Sequence, residues 1–188
     1  MTRSTLGVFG GSFDPPHVGH LLAASFALAT EPLDALAIFP SAHHPLGKEP
    51  KASFEMRVAM CRATFADLDR ARVDTLEDEL GGEGYTLTLL HELRRREPER
   101  LLRLIVGQDI MHQVARWHAW DEVARLAPPL VIGRRGSDTV GPSMVQMPEV
   151  SSSDIRRRLA AGESVEGLLH RDVIALLAKD NPYTSERP

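Results

Sequence analysis

Two histidines three residues apart, His17 and His20, close the segment GGSFDPPHVGH, which runs from Gly10 to His20. An apolar run ends where this segment begins, and a stretch with helical spacing follows it. A helix starting near His17 sets both imidazoles on one face of its first turn. That turn also presents amides without intrahelical acceptors and the positive end of the helix dipole. Gly10 and Gly11 allow positive φ and close backbone approach. Pro15 and Pro16 are expected to fix an extended entry. Gly19 removes a side chain where a ligand would lie against the helix. Imidazoles, amides and a helix N-terminus converging on one point suit a polyphosphate. The plainer alternative is a tight turn with two surface histidines, but the His-Val-Gly-His spacing favours the phosphate site. The segment is neither Gly-x-Gly-x-x-Gly nor a P-loop. It also lacks the His-Glu-x-x-His spacing of a zinc site, so no metal ligand is assigned.

A second candidate is VSSSDIRRRL, Val150 to Leu159. Three serines precede an amphipathic helix, and Ser152 or Ser153 is expected to be its N-cap. Hydroxyls, first-turn amides and Arg156 form an anion site of their own. Arg157 and Arg158 are expected to face solvent. A third is LIVGQDIM, Leu104 to Met111, where Gly107 and Asp109 lie just past an apolar run. A carboxylate there can accept hydrogen bonds from ribose hydroxyls, or it can cap a helix.

Strands must carry these segments at their carboxyl ends. Short apolar runs predict strands at Thr5–Phe9, Ala35–Phe39, Ala71–Thr75, Arg103–Val106, Pro129–Gly133 and Val145–Met147. Helical periodicity predicts helices at Val18–Thr30, Phe54–Phe65, Leu87–Arg96, Ile110–Leu126, Ser153–Ala160 and Arg171–Lys179. Strands alternating with helices imply an α/β fold, a parallel sheet with helices on both faces. Ligands of such sheets bind beyond the strands' carboxyl ends, here at the loops Gly10–Pro16, Pro40–Lys51, Leu80–Gly84 and Gly107–Asp109. The 188 residues suit a single domain, residues 1–188, with a helical C-terminal part from about 150. From about Asn181 the chain carries no pattern and is expected to fray.

The formal net charge of −4 argues against non-specific nucleic-acid binding but not against small phosphorylated ligands. The single cysteine, Cys61, excludes an internal disulfide and reads as a buried core thiol. No apolar run approaches the roughly 18 residues of a membrane span, and the N-terminus lacks a signal-peptide core. A cytoplasmic protein without membrane or nucleic-acid partners is expected. Oligomeric state is left open, a homo-oligomer included.

GGSFDPPHVGH resembles the signature of the His-x-Gly-His nucleotidyltransferases, and Ser151–Arg156 resembles that group's Ile-Ser-Ser-Thr-x-Ile-Arg motif. Within the group, the order of GYTLTLLHEL (Gly84–Leu93), GQDIMHQVARWHAWDEV (Gly107–Val123), VIGRRG (Val131–Gly136) and the terminal serine motif resembles the bacterial nicotinate-nucleotide adenylyltransferases. The likeness extends over nearly the whole chain. It implies a Rossmann-like fold and transfer of AMP from ATP to nicotinate mononucleotide in NAD biosynthesis. It implies His17, His20 and Arg156 as catalytic residues. ATP contacts would come from Gly10, Gly11, Ser12, Phe13, His17, His20, Gly107, Asp109, Ser152, Ser153, Ile155 and Arg156. Acceptor contacts would come from His44, Lys48, Tyr85, Thr86, Trp117 and Arg134, with Trp117 stacked on the cationic ring. Mg²⁺ would arrive with ATP. The segment SAHHPLGK (Ser41–Lys48) departs from the family's Asn-x-Pro-Pro-His-Lys, which bears on His44 and Lys48. Nicotinamide mononucleotide or phosphopantetheine as acceptor, and a non-catalytic nucleotide-binding module, remain the alternatives.

Overall fold

The computed structural model describes residues 3–43, 49–112, 114, 117–133 and 148–184, without the side chains of residues 109 and 110. His44, Lys48, Arg134 and the expected strand Val145–Met147 lie outside the described residues. Five strands, β1 (Thr5–Gly11), β2 (Ala35–Pro40), β3 (Ala71–Val73), β4 (Leu101–Gly107) and β5 (Pro129–Ile132), form one parallel sheet. Its order is β3-β2-β1-β4-β5. The chain winds outward from β1 to β3, then crosses back to the other side of β1. The strand order therefore reverses between β1 and β4, and a crevice opens at such a point beyond the strand ends.

Alternating side chains load both faces of the sheet, as expected for parallel strands covered on both sides. Leu6, Val8, Ala37, Phe39, Leu102, Leu104 and Val106 point to one face. There they meet Leu76 of α3 (Leu76–Leu80), Leu89, Leu90 and Leu93 of α4 (Thr86–Arg96), and Val123 of α6 (Trp120–Leu126). Phe9, Leu36, Ile38, Ile105 and Ile132 point to the other, against α1 (Val18–Thr30) and Cys61 of α2 (Phe54–Thr64). A third cluster joins Met60 of α2 to Ile155 of α7 (Ser152–Ala161) and to Val173 and Leu177 of α8 (Arg171–Lys179), with Tyr183 beyond. Cys61 is buried, and burial pushes its thiol pKa up, as suits a core residue.

The differences from the sequence expectations have local causes. The five-residue α3 has no counterpart among the predicted helices, since one turn carries too little periodicity to register. It interposes between β3 and the expected loop at Leu80–Gly84. Among the described residues, the stretch Ile110–Leu126 holds the end of α5 (Gln108–Met111) and, separately, α6, which starts after Ala119 takes a left-handed conformation with φ 49°. No glycine or proline marks that break. Of the segment from Asn181 expected to fray, the described residues 181–184 are held to the fold. Tyr183 is 1% exposed and packed in the third cluster. No described helix is long and apolar enough to cross a membrane.

Candidate active site

The first loop leaves β1 at Gly11 and enters α1 at Val18. Gly10 and Gly11 finish the extended strand and do not use the positive φ open to them. The left-handed residue is Phe13, φ 49°, a conformation that costs a non-glycine residue about 1–2 kcal/mol. Its ring offsets that cost by burial, edge-on to Phe9 at 5.5 Å, Phe65 at 6.1 Å and His20 at 4.9 Å. Phe13 can therefore offer a ligand only its main chain. The Asp14–Pro15 peptide is cis.

His17 is the N-cap of α1 and His20 the third helical residue. Their rings stack at 3.8 Å between centroids. The His17 amide donates to Nδ1 of His20 at 3.1 Å. That nitrogen must therefore carry a lone pair, which leaves the proton on Nε2. His20 is thus held as a neutral donor. His17 is 1% exposed, and its ring lies over Gly19, where a Cβ would come within 3.1 Å. The immediate role of Gly19 is to make room for this imidazole rather than for a ligand.

Helix α7 is fastened to this loop. Ser152 Oγ donates to the Pro15 carbonyl at 2.9 Å, and Arg156 Nη1 donates to the Asp14 carbonyl at 2.6 Å. Arg156 Nη2 donates to Ser153 Oγ at 3.1 Å. The N-cap is Ser151, not Ser152 or Ser153; its hydroxyl accepts from the Asp154 amide at 3.1 Å. Ser152 is thereby released to bond across to the first loop. Ile155 is fully buried, so it anchors the helix and touches no ligand with its side chain. Arg157 and Arg158 pair with Asp154.

Two buried charges tie the strand-end loops together. Asp14, 5% exposed, accepts from the Lys51 amide at 2.9 Å, the Ala52 amide at 3.1 Å and the Tyr183 hydroxyl at 2.8 Å. Arg57, 2% exposed, donates to the carbonyls of Ser12 and Ser41, both at 2.8 Å. The carboxylate of Asp14 is therefore occupied by donors. Among the described residues no cluster of His, Cys, Asp or Glu is arranged to hold a metal.

On the far side of the crevice, Tyr85 caps α4 and Thr86 is its first helical residue. An amide at that position has no intrahelical acceptor. Tyr85 stacks on His118 at 4.6 Å, and neighbouring Trp117 is edge-on to Trp120 at 5.5 Å. Trp117 is half-buried against the first core cluster. Gly84 carries φ 68°, and a Cβ there would lie 2.5 Å from the His43 carbonyl. The Tyr85 segment is thus pressed against the second loop, and the Ser41 amide bonds Gly11 at 2.9 Å. Gly107 ends β4 beside β1, and Asp109 falls inside α5 rather than before it. The structure thus gathers His17, His20, Ser152, Ser153 and Arg156 at the first loop, and Tyr85, Thr86 and Trp117 around a second wall.

The Cytidylyltransferase-like family matches residues 8–158. A probable nicotinate-nucleotide adenylyltransferase of Anaeromyxobacter sp. (strain K) is 40% identical over 181 residues, covering 95% of this chain and 96% of its own. One from Gemmatimonas aurantiaca is 35% identical over 95% of this chain and 92% of its own. The chain belongs to the nicotinate-nucleotide adenylyltransferase family. The fold agrees: Plasmodium falciparum nicotinic acid mononucleotide adenylyltransferase complexed with NaAD superposes with a TM-score of 0.79 at 16% identity, over 96% of this chain and 98% of that one. As a member of the nicotinate-nucleotide adenylyltransferase family, this chain is a nucleotidyltransferase.

Sequence reasoning missed Arg57, Glu77 and Tyr183. Arg57 had a legible signal, since it sits on the buried stripe of α2 with Cys61 and Thr64. Glu77, in α3, is 8% exposed and accepts from the Ala42 amide. It lines a small recess with Gly81, Gly84, Tyr85 and Thr88. Burial pushes its carboxyl up from 4.5 to about 8. The folded protein then keeps a proton that the unfolded chain has released. The associated stability is complete below about pH 4.5 and falls as pH rises towards 8. A tenfold difference in proton affinity between the two states is worth about 1.4 kcal/mol. Glu77→Gln should therefore flatten the decline between pH 5 and pH 8 by a few kcal/mol. Parallel wild-type and variant denaturant curves across this range would show that Glu77 does not titrate so.

Proposed function

We propose that this protein joins AMP from ATP to nicotinate mononucleotide, giving nicotinate adenine dinucleotide and pyrophosphate, in NAD biosynthesis. The observation that carries the reading is the fastening of α7 to the histidine loop, which sets Arg156 on the Asp14 carbonyl, three residues before the N-cap of α1. The acceptor phosphate is anionic at neutral pH, so no base is needed. One of its oxygens attacks the α-phosphorus in line, the bond to the β-phosphate breaks, and pyrophosphate leaves. Catalysis is then positioning and charge neutralisation. His20 donates through Nε2–H, Arg156 supplies positive charge, and His17 backs His20 through the ring stack. Main-chain amides of Gly10 to Phe13 and the first turn of α7, with Ser152 and Ser153, complete the phosphate cradle. Trp117, Tyr85 and Thr86 take the pyridine ring, and His44, Lys48 and Arg134 the acceptor phosphate. Nucleotidyltransferases of this family use a divalent metal with the nucleotide. We read it as Mg²⁺, carried in on ATP.

The test is to incubate the protein with MgATP and, separately, nicotinate mononucleotide, nicotinamide mononucleotide and phosphopantetheine, and to identify the product by mass. Nicotinate adenine dinucleotide is expected. No product with any acceptor would sink the reading. We assign Asp109, just past the end of β4, to the ribose hydroxyls of ATP. A charge-assisted hydrogen bond contributes about 1.5–3 kcal/mol, so Asp109→Ala should weaken ATP binding at least tenfold by calorimetry. Unchanged affinity would remove Asp109 from the nucleotide site.

A further inference from the structure

Tyr183 stands outside every segment given a role above, yet its hydroxyl reaches the buried Asp14 in the first loop. The ring is 1% exposed, packed among Met60, Ile155, Val173 and Leu177. Its hydroxyl donates to Asp14 Oδ1 at 2.8 Å. Burial and the neighbouring carboxylate push the phenol's pKa up, so it remains a donor at every working pH.

Asp14 is the point at which four segments meet. One carboxylate oxygen accepts from the Lys51 amide, the other from the Ala52 amide and Tyr183. Its main-chain carbonyl accepts from Arg156, whose guanidinium also lies 3.7 Å from Oδ2. That last distance is too long for a hydrogen bond. Arg156 is thus held by the Asp14 carbonyl, which leaves part of its positive charge for a ligand. A carboxylate free to turn would capture the guanidinium in a full ion pair. The three donors fix its orientation, and the Tyr183 hydroxyl is the only one of them on a side chain.

We propose that Tyr183 is a positioning residue for adenylyl transfer, holding the Asp14 carboxylate so that Arg156 stays available to the phosphates. The proposal rests on the reading of Arg156 given above. A tyrosine that only fills the core would act through its ring. The proposed role acts through the oxygen, and Tyr183→Phe removes that atom alone.

The experiment is a double-mutant cycle of Tyr183→Phe and Arg156→Ala, with kcat/KM for MgATP and thermal melting recorded for all four proteins. Tyr183→Phe should lower kcat/KM about tenfold, the scale of one hydrogen bond to a charged group. In the Arg156→Ala background it should lower kcat/KM no further. Any loss of Tm should be the same in both backgrounds. Undiminished kcat/KM in Tyr183→Phe, or an equal loss with and without Arg156, overturns the proposal and leaves the role of Arg156 standing. Full activity in Arg156→Ala overturns both.

Discussion

Replacing His20 by alanine should lower kcat by about 10²–10³-fold, the effect of removing one preorganised donor from a developing negative charge. The imidazole is already oriented before substrate arrives. Its Nδ1 is committed to the His17 amide, its ring is stacked on His17, and Phe13 meets it edge-on. Nε2–H is the donor it presents, and a neutral imidazole offers it without an ordering cost in the reaction step. The same histidine accepts the amide of the N-cap His17, so alanine should cost about 1 kcal/mol of stability as well. His20→Asn separates the two effects. Its amide oxygen can accept from the His17 amide but it has no group at the Nε2 position. We expect near-normal melting and the same loss of kcat. An asparagine variant with wild-type turnover would show that His20 acts only as a cap.

Nicotinate mononucleotide should be used with kcat/KM about tenfold to a hundredfold above nicotinamide mononucleotide, since an unpaired buried amide costs about 1–3 kcal/mol. The two acceptors differ only in a carboxylate against an amide. The proposed pocket faces the N-terminus of α4, where Tyr85 makes no side-chain cap bond. First-turn amides and the dipole there favour an anion. Glu77 lines the adjoining recess, but its carboxyl, pushed up to about 8, brings no full negative charge at neutral pH. The preference should therefore narrow as pH rises past 8 and that charge appears. The measurement is kcat/KM for both acceptors at saturating MgATP, at pH 7 and pH 9. Equal use at pH 7 would refute the donor-lined pocket while leaving adenylyl transfer intact.

The parts of this fold that the sequence made legible are those with long periodicity and two buried faces. α1 and α8 have the predicted bounds, and the strands differ at their ends by one or two residues. The spacing of His17, His20 and Arg156 pointed to one locus, and the structure brings the two histidine rings together and fastens Arg156 to the same loop. What escaped depends on contacts between segments far apart in the chain. Ser151 rather than Ser152 caps α7 because Ser152 bonds to Pro15, which no local pattern reveals. Tyr183 sits in a segment with no periodicity at all, and only the buried Asp14 gives it a purpose. The left-handed Phe13 and Ala119 are tertiary effects, since neither residue type favours that conformation.

The bonds that gather the phosphate site join residues 137, 142 and 169 positions apart: Ser152 to Pro15, Arg156 to Asp14, and Tyr183 to Asp14. Order in time follows from order in sequence. As the chain leaves the ribosome, β1, β2 and β3 can pair while the first loop still lacks every partner from α7 and beyond. Contacts between distant residues are entropically the slowest to close. Asp14, a carboxylate destined for burial, waits in water until Tyr183 emerges. A nascent chain that already has its sheet accordingly holds only the first-loop half of the proposed phosphate cradle, and still lacks the serines and Arg156 of α7 and the Tyr183 that braces Asp14.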